Sequence, residues 1–262
     1  MHIALLWTAL LLMIRESDWW IRQAIGTDGI WYRLTWVLIP GFYLLSLNWQ
    51  WLQQRWPLTA YRQVYTIAGA IPLATFLWLW ALFMLLMNPG KPDPLPFVPV
   101  LNPMDLTIVF VFLVLAGWFA VVIRKYGKAV ISISTPVVIK LAGISLFLWL
   151  NSVMIRTLHY WAGVELKYRV MMHSVLVQAS LSLFWGFLAL VIMVLSSKKS
   201  SRAGWFTGAG LLGLTVAKLF VVDLRNSSNL EAIGAFIGVG ILAMVIGYFS
   251  ALPPKSLTEK QA

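Results

Sequence analysis

The chain has 262 residues, of which 60% are hydrophobic and 11% charged, with a net charge of +11, 15 tryptophans and no cysteine. A soluble domain carries about half apolar and about a quarter charged residues, so the apolar surplus must face lipid and a soluble globular class is excluded. Without cysteine there are no disulfides, thiol nucleophiles or cysteine-bound metals, and three scattered histidines predict neither a metal site nor a cofactor.

A spanning helix needs about 20 apolar residues. The first run, 2–14, is too short to cross alone and predicts a short or partial helix, with Trp19 and Trp20 in the interface. Segments 31–52, 63–88, 105–123, 136–155, 174–196, 204–222 and 232–251 are long enough. The expected fold is all-α: a polytopic transmembrane helical bundle of about eight spans. It forms one domain over 1–252, followed by a short polar tail over 253–262.

With that number of spans both termini share one side. Arg55, Arg62, the clusters RKYGK (124–128) and SKKSSR (197–202), Lys255 and Lys260 collect there, which predicts cytoplasmic termini. The basic balance is therefore a topology signal with affinity for anionic membrane lipids. No basic groove interleaved with aromatics predicts a nucleic-acid partner. The connections 15–30, 89–104, 156–173 and 223–231 fall on the opposite, outer face.

Taken in chain order, several stretches carry chemistry. Glu16 and Asp18 follow the first run on the outer face, where a transferase using a lipid-linked donor would place its base. NPGKPDPLPFVPVLNPMDL (88–106) is too proline-rich for a helix and predicts an extended segment. It ends as a helix start should, with Asn102 as N-cap, Pro103 at the first position and Asp105 in the first turn. That capping role accounts for Asn102 and Asp105 without a function; an ordered lid over a site is the sharper reading. Lys140 lies close enough to the cytoplasmic end of its helix to snorkel.

LNSVMIRTLHYWAG (150–163) places Ser152, Arg156 and His159 on one helical face, with Asn151 beside them. Ser174, Gln178 and Ser182 repeat at i, i+4 and i+8 in the next span. Polar stripes in apolar helices face protein or water rather than lipid. Two readings stand for Arg156: an anion ligand in an outward cavity with titratable His159, or an anchor to lipid phosphate beside a belt of His159, Tyr160 and Trp161.

FTGAGLLG (206–213) contains G-x-G-x-x-G, but no strand precedes it, so dinucleotide binding is rejected. Gly208, Gly210 and Gly213, with Gly234 and Gly238 in the last span, predict a tightly packed final hairpin. Lys218 lies inside the membrane end of its helix, either snorkelling or pairing with Asp223 or another carboxylate. Ser228 and Glu231 have capping-box spacing.

LPFVPVLNPMDL (95–106), LNSVMIRTLHYWAGV (150–164), HSVLVQASLSLFWGFLAL (173–190) and GLTVAKLFVVDL (213–224), followed by a glycine-rich last span, resemble in that order a family of bacterial predicted membrane proteins, domain of unknown function 2339. The resemblance runs from about residue 60 onward. It implies a multi-pass protein of the bacterial inner (cytoplasmic) membrane and no particular activity. Members of the family are typically longer, so the resemblance implies the C-terminal portion of such a protein, with a separate N-terminal membrane subunit or other envelope proteins as partners. The leading expectation is a non-enzymatic protein that binds or moves an anionic or amphiphilic envelope component at the outer face. Arg156 and Lys218 would hold the anion, with Asn151, Ser152, His159, Gln178 and Asp223 around them. The alternatives are the transferase with Glu16 or Asp18 as base, and a structural scaffold or subunit of a larger complex.

Overall fold

A helix starts where an apolar run meets a cap and stops where glycine or proline breaks it, and the architecture follows these punctuation marks. The computed structural model describes residues 2–27, 29–49, 54–127, 135–223 and 230–249. Among the described residues the fold is entirely helical: α1 (His2–Ile25), α2 (Trp31–Ser46), a π turn (Val64–Ala68) running through Gly69 into α3 (Ala70–Met87), α4 (Pro103–Tyr126) and α5 (Thr135–Ala162). Then come α6 (Tyr168–His173), α7 (Val175–Lys198), α8 (Arg202–Lys218) with a π turn (Leu219–Asp223), and α9 (Leu230–Phe249). The chain forms two compact units, Met1–Trp161 and Ala162–Ala262.

Among the described residues five helices are long and apolar enough to cross a membrane: Val64–Met87, Pro103–Tyr126, Thr135–Ala162, Val175–Lys198 and Arg202–Val221. Two boundaries differ from expectation. The first helix is not short: α1 runs 24 residues, through the charged stretch. Its charges sustain the helix by i, i+4 pairs, Arg22 with Asp18 at 2.7 Å and Trp20 Nε1 donating to Glu16 at 2.9 Å. The fifth helix does not end at residue 155. Nothing breaks it before Gly163, whose φ of +69° ends it, so Arg156 and His159 lie inside α5 rather than in a loop.

In the first unit, α2, α3 and α4 pack together. Ala70, Ala74, Leu77 and Ala81 present a small-residue seam at helical spacing, and Val111, Val114, Trp118 and Val122 of α4 join it in one buried cluster. The π turn frees carbonyls from the helical ladder, and side chains take them up. Trp118 Nε1 donates to Thr66 O at 3.0 Å, the Tyr43 hydroxyl to Tyr65 O at 3.0 Å, and Trp7 Nε1 to Gly69 O at 3.3 Å.

α5 is built the other way round from a soluble amphipathic helix. Its apolar side chains, among them Val137, Ile139, Ile144 and Leu146, are exposed, while Ser145, Ser152 and Arg156 are buried. In a lipid solvent that inversion is expected, because only the polar stripe needs protein partners.

In the second unit α7 is the common partner, with α8 and α9 both packed on it. A Cβ at Gly208 would lie 3.1 Å from Ala189 O, and one at Gly238 would lie 2.5 Å from Leu183 Cδ2. The two glycines therefore bring both helices close to α7 rather than to each other, while the last two spans meet through Leu219 and Val239, which share one buried cluster. Gly210, Gly213 and Gly234 face open space.

Candidate functional site: a buried ion pair and a lysine tie

Helix α4 begins as its sequence dictates: Asn102 Oδ1 accepts from the Asp105 backbone N–H at 3.0 Å, and Pro103 occupies the first position. This geometry aims the Asp105 side chain at α5. There its Oδ1 accepts from Arg156 Nη2 and, at 3.0 Å, from Trp149 Nε1, while Oδ2 accepts from Asn102 Nδ2. Asp105 is therefore more than the cap residue that its position suggests. It is the counter-ion of Arg156, and the two side chains are 0% and 2% exposed.

The rest of the guanidinium is partly used. Nη1 donates to Ser152 Oγ at 2.7 Å, and Ser152 in turn donates to Leu85 O of α3 at 2.8 Å. Met104 Sδ lies 3.9 Å from Nη1. Nε is buried and has no acceptor among the described residues. Asn102 donates to Oδ2, the carboxylate meets the guanidinium through Oδ1 alone, and Nε takes no part in the pair.

The proline-rich segment 88–102 covers this network as a strap. Gly90, at φ +67°, lies against it: a Cβ there would come 2.7 Å from Met104 Sδ and 3.4 Å from Arg156 Cδ. Trp31 Nε1 donates to Asp93 O at 2.7 Å, Ile30 N–H donates to Lys91 O at 3.0 Å, and Phe97 stacks on Tyr160 at 4.3 Å. Tyr160 thus holds the strap, whereas Trp161, 68% exposed, suits the expected aromatic belt.

The second polar stripe is taken up inside the second unit. Ser174 caps α7 by accepting from Val177 N–H at 3.4 Å. Lys218 Nζ donates to Ser182 Oγ at 2.7 Å and to Gln178 O at 2.8 Å, tying α8 to α7. Gln178 Nε2 donates to Met171 O at 3.0 Å.

Of the residues singled out in the sequence, Asn102, Asp105, Ser152 and Arg156 come together, and separately Gln178 and Lys218 do. Asn151 donates back along its own helix to Phe147 O at 2.7 Å, and His159 packs edge-on against Tyr160 at 4.7 Å. Glu16 and Asp18 bond within α1. Ser228 and the side chains of Asp223 and Glu231 lie outside the described residues. Composition and spacing missed Trp149 and Ser145. Ser145, Trp149, Ser152 and Arg156 follow a 4-3-4 spacing that extends the noted stripe backward, and Ser145 accepts from Trp78 Nε1 at 3.0 Å. Among the described residues no cluster of metal-ligating side chains occurs.

The family model described as "Predicted membrane protein (DUF2339)" matches residues 1–253. It therefore takes in the first helices as well as the stretches from about residue 60. No curated protein and no solved structure matches the chain.

Proposed function

The chain belongs to this family of predicted membrane proteins (DUF2339), and on that premise we propose that it binds an anionic amphiphile through Arg156, as a multi-pass protein of the bacterial inner membrane. The observation that carries this reading is the buried Nε, without an acceptor among the described residues, of a guanidinium that is 2% exposed. Buried polar groups are ordinarily paired, and a charged group inside a membrane span is costly enough to mark a functional position. A headgroup oxyanion beneath the strap supplies the missing acceptor. Ser152 holds the other arm of the fork, and Asn151 and His159 flank it on α5. In the second unit Lys218, seated on Gln178 and Ser182, is a further cationic group, with Asp223 five residues along.

The test is lipid occupancy. Protein extracted in native nanodiscs and compared at equal folded amount should retain at least about tenfold less anionic lipid as Arg156→Gln than as wild type, a loss of about 1.4 kcal/mol. Equal occupancy sinks the reading.

The topology belongs to the same proposal: about eight spans, cytoplasmic termini and the strap on the outer face. Since the chain has no cysteine, single cysteines report directly. Lys91→Cys should react with an impermeant maleimide from outside the cell, and Lys125→Cys and Lys199→Cys only after permeabilisation. Reversed labelling would put the strap in the cytoplasm.

The self-contained pairing of Asp105, Asn102, Trp149 and Ser152 favours a second reading, a scaffold that assembles with another membrane subunit. It predicts a stoichiometric copurifying protein whose capture does not depend on Arg156.

A further inference from the structure

We infer that an oxyanion binds at Arg156 together with one proton, and that Asp105 receives the proton. The inference rests on the reading of Arg156 as the headgroup-binding group and adds its coupling ion.

Charge balance leads there. Arg156 and Asp105, 2% and 0% exposed, already cancel. A monoanion added to this pair leaves one uncompensated negative charge in a medium that solvates charge poorly. One proton restores neutrality. The geometry gives it a place. Asp105 faces Arg156 through Oδ1, while Trp149 and Asn102 hold the carboxyl independently. A proton from bulk water adds to Oδ1 and forms an O–H bond. The Nη2–H···Oδ1 hydrogen bond is given up, and the neutral carboxyl gains an O–H donor while it still accepts from Trp149 and Asn102. Nη2–H and the unused Nε–H then present two parallel donors to two oxygens of the oxyanion.

Few other titratable groups lie on the elements packed around Asp105. They are Lys140, Arg156, His159 and Tyr160 on α5, Tyr32, Arg33 and Tyr43 on α2, and Lys91 and Asp93 on the strap, with Lys140 and Tyr43 toward the far ends of their helices. Lys91 and Asp93 form an exposed pair at 2.8 Å. α3 contributes none, and α4 carries no other charged side chain before Arg124.

The ligand chemistry is a phosphodiester-type monoanion, whether of a lipid headgroup or free. Dibutyl phosphate, which does not titrate near neutrality, is the soluble probe. It would be titrated calorimetrically into the full chain in phosphatidylcholine nanodiscs, in two buffers of different ionisation enthalpy. A parallel series replaces part of the phosphatidylcholine with phosphatidylglycerol. Binding should take up one proton per ligand, and Kd should weaken about tenfold per pH unit wherever the free site is deprotonated. Competition by phosphatidylglycerol identifies the lipid as the source of the headgroup; indifference to it identifies a free oxyanion. Asp105→Asn, which mimics the protonated carboxyl, should bind at every pH with no proton uptake. Binding that depends on Arg156 without proton uptake in the wild type overturns this inference and leaves the headgroup reading intact. Binding unchanged in Arg156→Gln, or absent for both probes, overturns the headgroup reading itself. The proton count is made on the wild type, so a poorly folding Asp105→Asn does not decide the outcome.

Discussion

Arg156→Leu should lose roughly 3–5 kcal/mol of unfolding free energy, because it leaves Asp105 as a buried charge with no counter-ion. The size of the effect comes from what stays behind rather than from the bond removed. Asp105 is 0% exposed, and Trp149 and Asn102 donate hydrogen bonds to it but bring no formal charge. Ser152 loses its donor too, although its own bond to Leu85 O at 2.8 Å survives. The double variant Arg156→Leu/Asp105→Asn should recover most of the loss, since a neutral amide with an unmet hydrogen bond costs only about 1–3 kcal/mol. The measurement is unfolding by sodium dodecyl sulfate in mixed micelles, followed by tryptophan fluorescence. A single variant within about 1 kcal/mol of the wild type would mean the pair does not hold α5 to α4.

Gly208→Val should cost about 3 kcal/mol, the upper part of the range for overpacking a well-filled contact. A Cβ at this position would lie 2.5 Å from Met193 Cγ, 3.1 Å from Ala189 O and 3.1 Å from Met193 N. The methionine side chain can swing away, but the two backbone atoms belong to α7 and cannot move without parting the helices. Gly208→Ala should cost less, because alanine returns about 1 kcal/mol of helix propensity against the same contact. Gly213→Ala is the control: nothing lies within 4 Å of a Cβ there, so the propensity gain stands alone. If Gly208→Val unfolds like Gly213→Ala in the same titration, α7 and α8 do not meet at residue 208.

The helices were most legible where local chemistry punctuates the chain. Asn102 and Pro103 mark the start of α4 to the residue. The apolar runs 63–88, 136–155, 174–196 and 204–222 located the other four helices that are long and apolar enough to cross a membrane among the described residues, because lipid demands length and apolarity before anything else. The first helix outruns its apolar stretch because its second half is held by the pairs Glu16–Trp20 and Asp18–Arg22 and not by apolarity. The site was legible in part. The spacing of Ser152 and Arg156 marked the correct face of α5, but the carboxylate that answers Arg156 lies 51 residues away in a position that capping already explained. One side chain performs two tasks there, and a local pattern reveals only the local one. The final glycines show the same limit: their spacing signals a close approach, but not which helix approaches.

The Asp105–Arg156 pair also bears on how the protein is made. α4 precedes α5 in the chain, so the acid that neutralises Arg156 is synthesised 51 residues before the arginine. An arginine at the centre of a span costs about 2.5–3.5 kcal/mol to insert unaided. Arg156 lies six residues from the end of α5, and because its counter-charge is made first the two can pair as α5 inserts. Reversing the two charges would preserve the pair but not the sequence of events, because the arginine would then arrive first and wait alone.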